Sequence, residues 1–167
     1  HEEMLFIVVH QVYELWFKQL LHELNAVIDT FNQAAVKDQQ LTSVVHRLHR
    51  VIQIQKLMND QIGIMETMTP QQFLSFRDYL VPASGFQSIQ FKQLEISLGL
   101  KREYRIDFDK QSFYNRLSDD DRSLLEALEE KPSLFELVDK WLARMPLLKT
   151  EDFHFWDYYR KATDEML

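Results

Sequence analysis

The stretch LFIVVHQVYELWFKQLLHELNAVIDTF, residues 5–31, decides the fold class of this chain. Apolar residues recur in it every three or four positions, as they do along one face of an α-helix. These residues are Leu5, Val8, Val9, Val12, Leu15, Trp16, Leu20, Leu24, Val27, Ile28 and Phe31. The spacing predicts one long amphipathic helix that ends near Asn32.

The rest of the sequence continues the helical pattern and shows no alternating strand pattern. A second long helix is predicted over residues 41–68, and residues 69–72 (TPQQ) have the form of a capping box that starts the next helix. Further helices are predicted over residues 70–80, 86–98, 110–117, 118–128, 133–144 and 151–166, with a charged loop at 101–109. We therefore predict an all-α fold, a bundle of long helices with several short ones.

Length and composition fit a single helical domain over residues 1–167. The 3 Gly and 4 Pro are few for a chain of 167 residues, so long helices with few connections are expected. The helical patterns run up to His1 and Leu167 without the usual capping residues. For this reason we expect the domain to be incomplete at both ends.

Charge and cysteine content exclude several classes of function. The absence of Cys excludes disulfides, iron–sulfur clusters and a cysteine nucleophile. The net charge of −7 argues against binding to nucleic acid or to an anionic membrane surface. No apolar run approaches the roughly 20 residues that span a bilayer. The sequence predicts a soluble, cytoplasmic protein with no nucleic-acid or membrane partner.

Two side-chain pairs could form a binding site. His10 lies four residues after Phe6 and Arg77 four residues after Phe73, so each pair shares one face of its predicted helix. An arginine beside an aromatic ring, near the hydroxyl of Ser84, suits an aromatic ligand that carries a carboxylate. The alternatives are that His10 is an ordinary core residue and that Arg77 forms a surface ion pair with Asp78 or Glu66.

Other patterns give weak support for chemistry. His46 and His49 have a metal-like spacing but share a polar face with Arg47 and Arg50, whose charges would repel a cation. One Glu-x-x-His pattern, ending at His154, is not enough for a di-iron site. Phosphate-binding glycine loops, serine-hydrolase elbows and zinc-protease motifs are absent.

Two segments carry a specific resemblance. Residues 1–24 (HEEMLFIVVHQVYELWFKQLLHEL) and 64–95 (IMETMTPQQFLSFRDYLVPASGFQSIQFKQLE) strongly resemble the tryptophan 2,3-dioxygenase family. Shorter similar stretches are HRLHRV at 46–51, PSLFELVDKWLAR at 132–144 and FWDYYR at 155–160. The resemblance therefore runs along essentially the whole chain.

The resemblance implies a fold, a reaction and a cofactor. Members are all-α homotetramers that use haem b, an iron cofactor. They insert both atoms of O₂ across the indole C2–C3 bond of L-tryptophan to give N-formyl-L-kynurenine. This is the first step of tryptophan catabolism by the kynurenine pathway.

The resemblance also implies roles for individual residues. Phe6 would pack on the indole ring, and Arg77 would bind the substrate carboxylate. His10 would be the distal histidine that hydrogen-bonds the indole N–H without binding iron; orientation is a safer role for it than proton removal. The other implied residues are Ile7, Val8, Val9 and Phe73 around the substrate, and Ser84 and Gly85 on the distal side of the haem.

The sequence departs from the family pattern at the iron ligand. The family's proximal histidine and the Gly-rich loop that follows it do not occur, and none of His1, His22, His46, His49 or His154 matches the axial position. We therefore predict no metal ligand in this chain, and expect these 167 residues alone to bind haem poorly and to be inactive. Alternatives are a non-catalytic module that binds tryptophan or another indole, an inactive fragment of the family, and a purely structural bundle.

Overall fold

The computed structural model describes residues 2–80, 88–101, 104 and 117–144. Within these residues it contains seven α-helices and no strand, which confirms the all-α prediction. The helices are α1 (Glu2–Phe31), α2 (Asp38–Met65), α3 (Pro70–Leu74), α4 (Arg77–Leu80), α5 (Ile89–Leu98), α6 (Asp119–Glu129) and α7 (Leu134–Arg144). No helix among them is long and apolar enough to cross a lipid bilayer.

The long helix α1 is the centre of the fold, because α2, α3, α5 and α7 all pack against it. Its buried face follows the predicted apolar stripe and meets the buried face of α2. The main core consists of Leu20, Leu24, Val27, Phe31, Val44, Val51, Ile54, Met58, Leu94, Leu134 and Leu137. A second, smaller core joins α5 to α6 through Ile96 and Leu125. Val8 and Leu15, predicted on the stripe, are instead 48% and 67% exposed.

Two polar contacts fix α1 and α2 side by side in opposite directions. The Tyr13 hydroxyl donates a hydrogen bond to the main-chain carbonyl of Met58. Ten residues further along α1, the carboxylate of Glu23 binds Arg47 at 2.7 Å and Arg50 at 2.6 Å. Because contacts further along α1 lie earlier on α2, the two helices are antiparallel.

Glu23 is the most unusual residue of this interface, since a carboxylate only 1% exposed is rare unless it is paired. Gln19 donates a further hydrogen bond to its Oε1 at 2.8 Å. Burial by itself would raise the pKa of Glu23, but the hydrogen bonds and charges of Arg50 and Arg47 outweigh it and hold the pKa below its usual value. Arg47 and Arg50 were predicted to lie on a polar face, and their contact with Glu23 was not predicted.

Capping residues set the starts of the shorter helices. Thr69 and Gln72 form the predicted capping box of α3, and the Ser88 side chain accepts a hydrogen bond from the Phe91 N–H at the start of α5. Ser118 caps α6 in the same way. Each side chain satisfies a main-chain N–H group that has no partner within its helix. The predicted helix at 118–128 is confirmed as α6, and that at 133–144 as α7.

The predicted single helix over residues 70–80 is wrong, because the structure has two short helices there. The Ser75 hydroxyl donates to the Gln72 carbonyl, and the Phe76 N–H bonds the Phe73 carbonyl three residues earlier. This tighter turn separates α3 from α4 and carries the Phe76 ring into the interior, where it is 3% exposed.

Other predicted elements fall partly or wholly outside the described residues. The second helix is shifted three residues toward the N-terminus, and α5 is described from Ile89. The predicted loop at 101–109 is described only at Lys101 and Tyr104, and the predicted helix at 110–117 only at Leu117. The predicted helix at 151–166 lies entirely outside the described residues.

Replacing Glu23 with Gln should destabilise the protein, since a neutral amide cannot satisfy both arginines. We expect the free energy of unfolding at neutral pH to fall by about 2 kcal/mol, measured by urea denaturation. Arg50 is more than half exposed, which keeps the loss below that of a fully buried pair. The matched control is Glu126→Gln on an exposed position of α6, which should change stability by less than about 0.5 kcal/mol.

The effect of Glu23→Gln should depend on pH. Because the folded-state pKa lies below the ordinary value of 4.5, the carboxylate stabilises the fold above that pH and loses its contribution as pH falls through the folded-state pKa. The difference in stability between wild type and variant should shrink from about pH 5 to about pH 3. A difference that stays constant over this range would contradict the assignment.

Gly99 ends α5 with φ at 105°, a conformation that disfavours residues with a side chain. Replacing Gly99 with Ala and replacing Gly63 with Ala should therefore change the stability of the protein in opposite directions. A β-carbon at Gly99 would lie 2.9 Å from the Cβ of Phe135, whereas one at Gly63 meets nothing within 4 Å. We expect Gly99→Ala to cost about 2 kcal/mol, and Gly63→Ala in the last turn of α2 to stabilise by about 0.5 kcal/mol. Thermal unfolding of the two variants tests this, and equal shifts would refute it.

Candidate functional site

Phe6 is the centre of an aromatic cluster that joins the start of α1 to α3. Its ring centroid lies 4.0 Å from that of His10, 5.8 Å from that of Phe73 and 5.6 Å from that of Phe76. Phe73 and Phe76 meet edge to face at 5.4 Å. The structure therefore brings together residues that are 70 positions apart in the sequence, on one apolar surface.

Hydrogen bonding fixes the orientation of the His10 ring. Its Nδ1 lies 2.7 Å from the main-chain carbonyl oxygen of Phe6. A carbonyl oxygen can only accept, so Nδ1 carries the hydrogen. In a neutral imidazole the other nitrogen, Nε2, then presents a lone pair and can accept a hydrogen bond from a ligand.

Arg77 lies at the polar edge of the cluster. Its guanidinium carbon is 5.7 Å from the centroid of the Phe73 ring, a cation–π distance. Among the described residues Arg77 forms no ion pair, so the alternative of a surface pair with Asp78 or Glu66 is not supported there. The side chain is exposed and can donate two parallel hydrogen bonds to a carboxylate.

Phe76 belongs to the cluster and was missed by the sequence analysis. The prediction of one continuous helix made Phe73 and Arg77 the interacting pair and gave Phe76 no role. In the structure the break between α3 and α4 turns Phe76 inward while keeping Arg77 over Phe73. The available signal was the spacing of three residues from Phe73 to Phe76, which places both on one side of a helical turn.

The remaining candidate residues are less closely grouped. Val9 is buried in the interior, while Ile7 and Val8 are 40% and 48% exposed. Val8 lies two residues, or about 200°, around α1 from Phe6, on the opposite side of the helix. Ser84 and Gly85 lie outside the described residues.

The described residues offer no cluster suited to a metal ion: no three His, Asp or Glu side chains come together in them. His46 and His49 are both exposed on α2, and His49 contacts Gln53 at 3.3 Å. His154 lies outside the described residues.

A separate cavity of about 340 Å³ lies between α1, α2 and α5. Tyr13, Phe17, Met58, Phe91 and Glu95 are among its lining residues, whereas Phe6 and His10 are not. Burial raises the pKa of the Tyr13 hydroxyl, which therefore stays protonated and donates to Met58. Tyr13 thus borders the cavity one helical turn beyond His10.

Comparison with known proteins identifies close relatives. The sequence profile of the family described as tryptophan 2,3-dioxygenase matches residues 1–167. A tryptophan 2,3-dioxygenase of Alteromonas mediterranea is 88% identical over 167 residues, which are 100% of this chain and 46% of that protein. The enzyme of the same name from Bdellovibrio bacteriovorus is 45% identical over 99% of this chain and 46% of its own length.

A more distant relative shows the same pattern. A tryptophan 2,3-dioxygenase of Dictyostelium discoideum is 44% identical over 100% of this chain and 42% of its own length. The chain thus spans less than half the length of the curated relatives that it matches. The match of the family profile to every residue nevertheless means that the chain belongs to the tryptophan 2,3-dioxygenase family.

Proposed function

We propose that the protein cleaves the indole C2–C3 bond of L-tryptophan with O₂ and forms N-formyl-L-kynurenine, as the first step of the kynurenine pathway. The observation that carries the proposal is the cluster in which Phe6 joins His10 of α1 to Phe73 of α3, with Arg77 at its edge. An aromatic surface between an acceptor nitrogen and a guanidinium matches an amino acid that has an indole ring and a carboxylate.

His10 would orient the indole ring. With Nδ1 held by the Phe6 carbonyl, the Nε2 lone pair can accept a hydrogen bond from the indole N–H. The Phe6 ring, tilted by 35° with its centroid 4.0 Å from that of the imidazole, limits rotation of His10 and offers an aromatic surface on which the indole can pack. Because an indole N–H is a very weak acid, a positioning role for His10 is favoured over removal of the indole proton.

Arg77 would hold the substrate carboxylate. Its contact with the Phe73 ring restrains the guanidinium at the edge of the cluster, where a carboxylate attached to the indole side chain would lie. Ile7, Val8, Val9 and Phe73 remain predicted substrate-binding residues. Ser84 and Gly85 remain predicted for the distal side of the haem.

A haem b cofactor with its iron is part of this proposal, because activation of O₂ requires chemistry that side chains do not supply. The described residues fit the distal side of such a site: the Phe6 ring packs against an imidazole whose Nδ1 is already engaged, and Phe73 and Phe76 pack on Phe6. No three His, Asp or Glu side chains come together among the described residues. We propose, from the departure from the family pattern, that the histidine that would hold the haem iron is not among these 167 residues. When bound, the haem would supply O₂ activation, while Phe6, His10 and Arg77 bind and orient the indole.

Assembly and location are further parts of the proposal. We propose a homotetramer, as the family resemblance implies, and a cytoplasmic location. Size-exclusion chromatography with light scattering tests the first, and cell fractionation tests the second.

Replacing Arg77 with Ala should weaken the binding of L-tryptophan about tenfold or more, because a bidentate bond to the carboxylate is lost. The measurement is titration of the haem-loaded native protein with L-tryptophan, followed by calorimetry and by the shift of the Soret band. Binding of tryptamine, which has no carboxylate, should be the same for wild type and variant. A matched control is Lys18→Ala on an exposed position of α1, which should leave both ligands unaffected.

This titration, together with an assay of turnover on the same haem-loaded protein, tests the proposed reaction. Turnover of L-tryptophan to N-formyl-L-kynurenine by the native protein supports the enzyme. Binding of L-tryptophan without turnover would favour the alternative of an indole-binding module, and absence of both would refute the proposal.

Replacing His10 with Phe should weaken the binding of L-tryptophan about fivefold, because one hydrogen bond to the indole N–H is lost while the stacking on Phe6 is kept. Binding of 1-methyl-L-tryptophan, which has no indole N–H, should change less than that of L-tryptophan. Calorimetry with both ligands checks this. An equal loss for both would show that His10 acts through packing and not through the hydrogen bond.

A further inference from the structure

The helical turn that follows His10 is tied to two neighbouring helices. Tyr13 donates to the Met58 carbonyl on α2, and Gln90 of α5 binds Glu14. Glu14 lies four residues after His10, on nearly the same side of α1. The position of this turn therefore determines where the imidazole faces.

The contact between Glu14 and Gln90 has an unusual form. The Gln90 amide Nε2 donates to the carboxylate oxygen Oε2 of Glu14 at 2.7 Å and to the main-chain carbonyl of the same residue at 3.0 Å. One side chain thus binds both the backbone and the side chain of one residue on the opposing helix. Such a contact fixes the rotation and the height of α1 relative to α5.

The surrounding contacts between α1 and α5 lack this directionality. Phe17 packs on Phe91 at 5.4 Å between ring centroids, and Leu94 joins the main core. Apolar contacts allow a helix to rotate or slide by a small distance at little cost, because they are not directional. A hydrogen bond weakens steeply as its angle and length change, so it can select one position.

The Glu14 carboxylate has no charged partner among the described residues: no Lys or Arg pairs with it there, and the Gln90 amide is its hydrogen-bond donor. Removing that amide leaves a half-buried acceptor unsatisfied, so it affects stability as well as position. A test of positioning therefore needs a readout that a loss of stability alone does not change.

We propose that Gln90 is a positioning residue for the His10 site: its paired hydrogen bonds to Glu14 set the rotation of α1 and thereby aim His10 and Phe6 at the ligand. This inference rests on the proposed function only for its effect on turnover. The geometric part, that Gln90 fixes the position of His10, stands independently of any reaction.

The test uses Gln90→Leu in the native polypeptide that carries this chain, with Gln93→Leu on the same helix as the matched control. The first readout is the NMR signal of the His10 ring in histidine-labelled protein, assigned with a His10→Gln variant. Phe6 and His10 lie on the same helix, so a rotation of α1 moves both relative to the rings of Phe73 and Phe76, which lie 5.8 Å and 5.6 Å from Phe6, and thereby changes the ring-current shifts of the pair. We expect Gln90→Leu to move the His10 signal and Gln93→Leu to leave it in place.

The second readout separates positioning from stability. We expect Gln90→Leu to lower kcat for L-tryptophan about tenfold, with KM changed by less than about twofold, at a temperature where both variants are fully folded. The variant Glu14→Gln keeps a side-chain oxygen and the main-chain carbonyl, and both can still accept from the Gln90 amide. It should keep kcat within about twofold of wild type and leave the His10 signal near its original position.

The outcomes distinguish this inference from the proposed function. If the native protein does not cleave L-tryptophan, the function fails, and the His10 signals of Gln90→Leu and Glu14→Gln still decide whether Gln90 positions His10. A His10 signal unmoved in Gln90→Leu, or moved equally in Gln93→Leu, would overturn the inference. A loss of kcat in Glu14→Gln as large as that in Gln90→Leu would overturn it as well.

Discussion

The binding of the buried Glu23 carboxylate by Arg47 and Arg50 is the constraint on which the rest of the structure depends. Apolar stripes on α1 and α2 make the two helices pack, but stripes alone permit several alignments one turn apart. A carboxylate that is 1% exposed is stable only where both guanidinium groups reach it, which excludes the shifted alignments. The hydrogen bond from Tyr13 to Met58 agrees with the same alignment.

This alignment places the candidate site at the far end of the helix pair. Since α1 and α2 are antiparallel, the start of α1 lies beside the end of α2, and the chain enters α3 next to Phe6. Gln72 of α3 donates to the carboxylate of Glu2 at 3.2 Å, and Phe73 and Phe76 then close on Phe6. The aromatic cluster is thus a consequence of the helix alignment, which is set about four turns away.

The sequence predicted the parts of the fold that depend on local chemistry. Helical periodicity located α1 and α2, and the capping box of Thr69 and Gln72 marked the start of α3 because capping involves residues only three apart. The pairs Phe6–His10 and Phe73–Arg77 were predicted for the same reason, and both contacts occur. The expectation that the two pairs face one ligand came from the family resemblance.

The features that the sequence did not predict all depend on partners distant in the chain. No residue near Glu23 in the sequence indicates that its carboxylate will be buried and will pair with two arginines more than 20 positions away. Phe76 points inward, where its ring packs against that of Phe6 on α1. Residues 70–80 alone do not contain this partner, so a prediction from them gives one continuous helix. The contact of Gln90 with Glu14 spans 76 positions and has no periodic signature.

The exposure of Arg77 limits what the cluster can do before a ligand is bound. A guanidinium in water gains little from pairing with a carboxylate, since solvent screens both charges and exposed ion pairs contribute about 0–1 kcal/mol. The same pair is stronger when an apolar group excludes water from one side. An indole ring stacked on Phe6 and Phe73 would provide that cover, so the aromatic and ionic parts of tryptophan recognition would reinforce each other. Ligands with a carboxylate but no aromatic ring should then gain little from Arg77, which makes the aromatic cluster the determinant of selectivity.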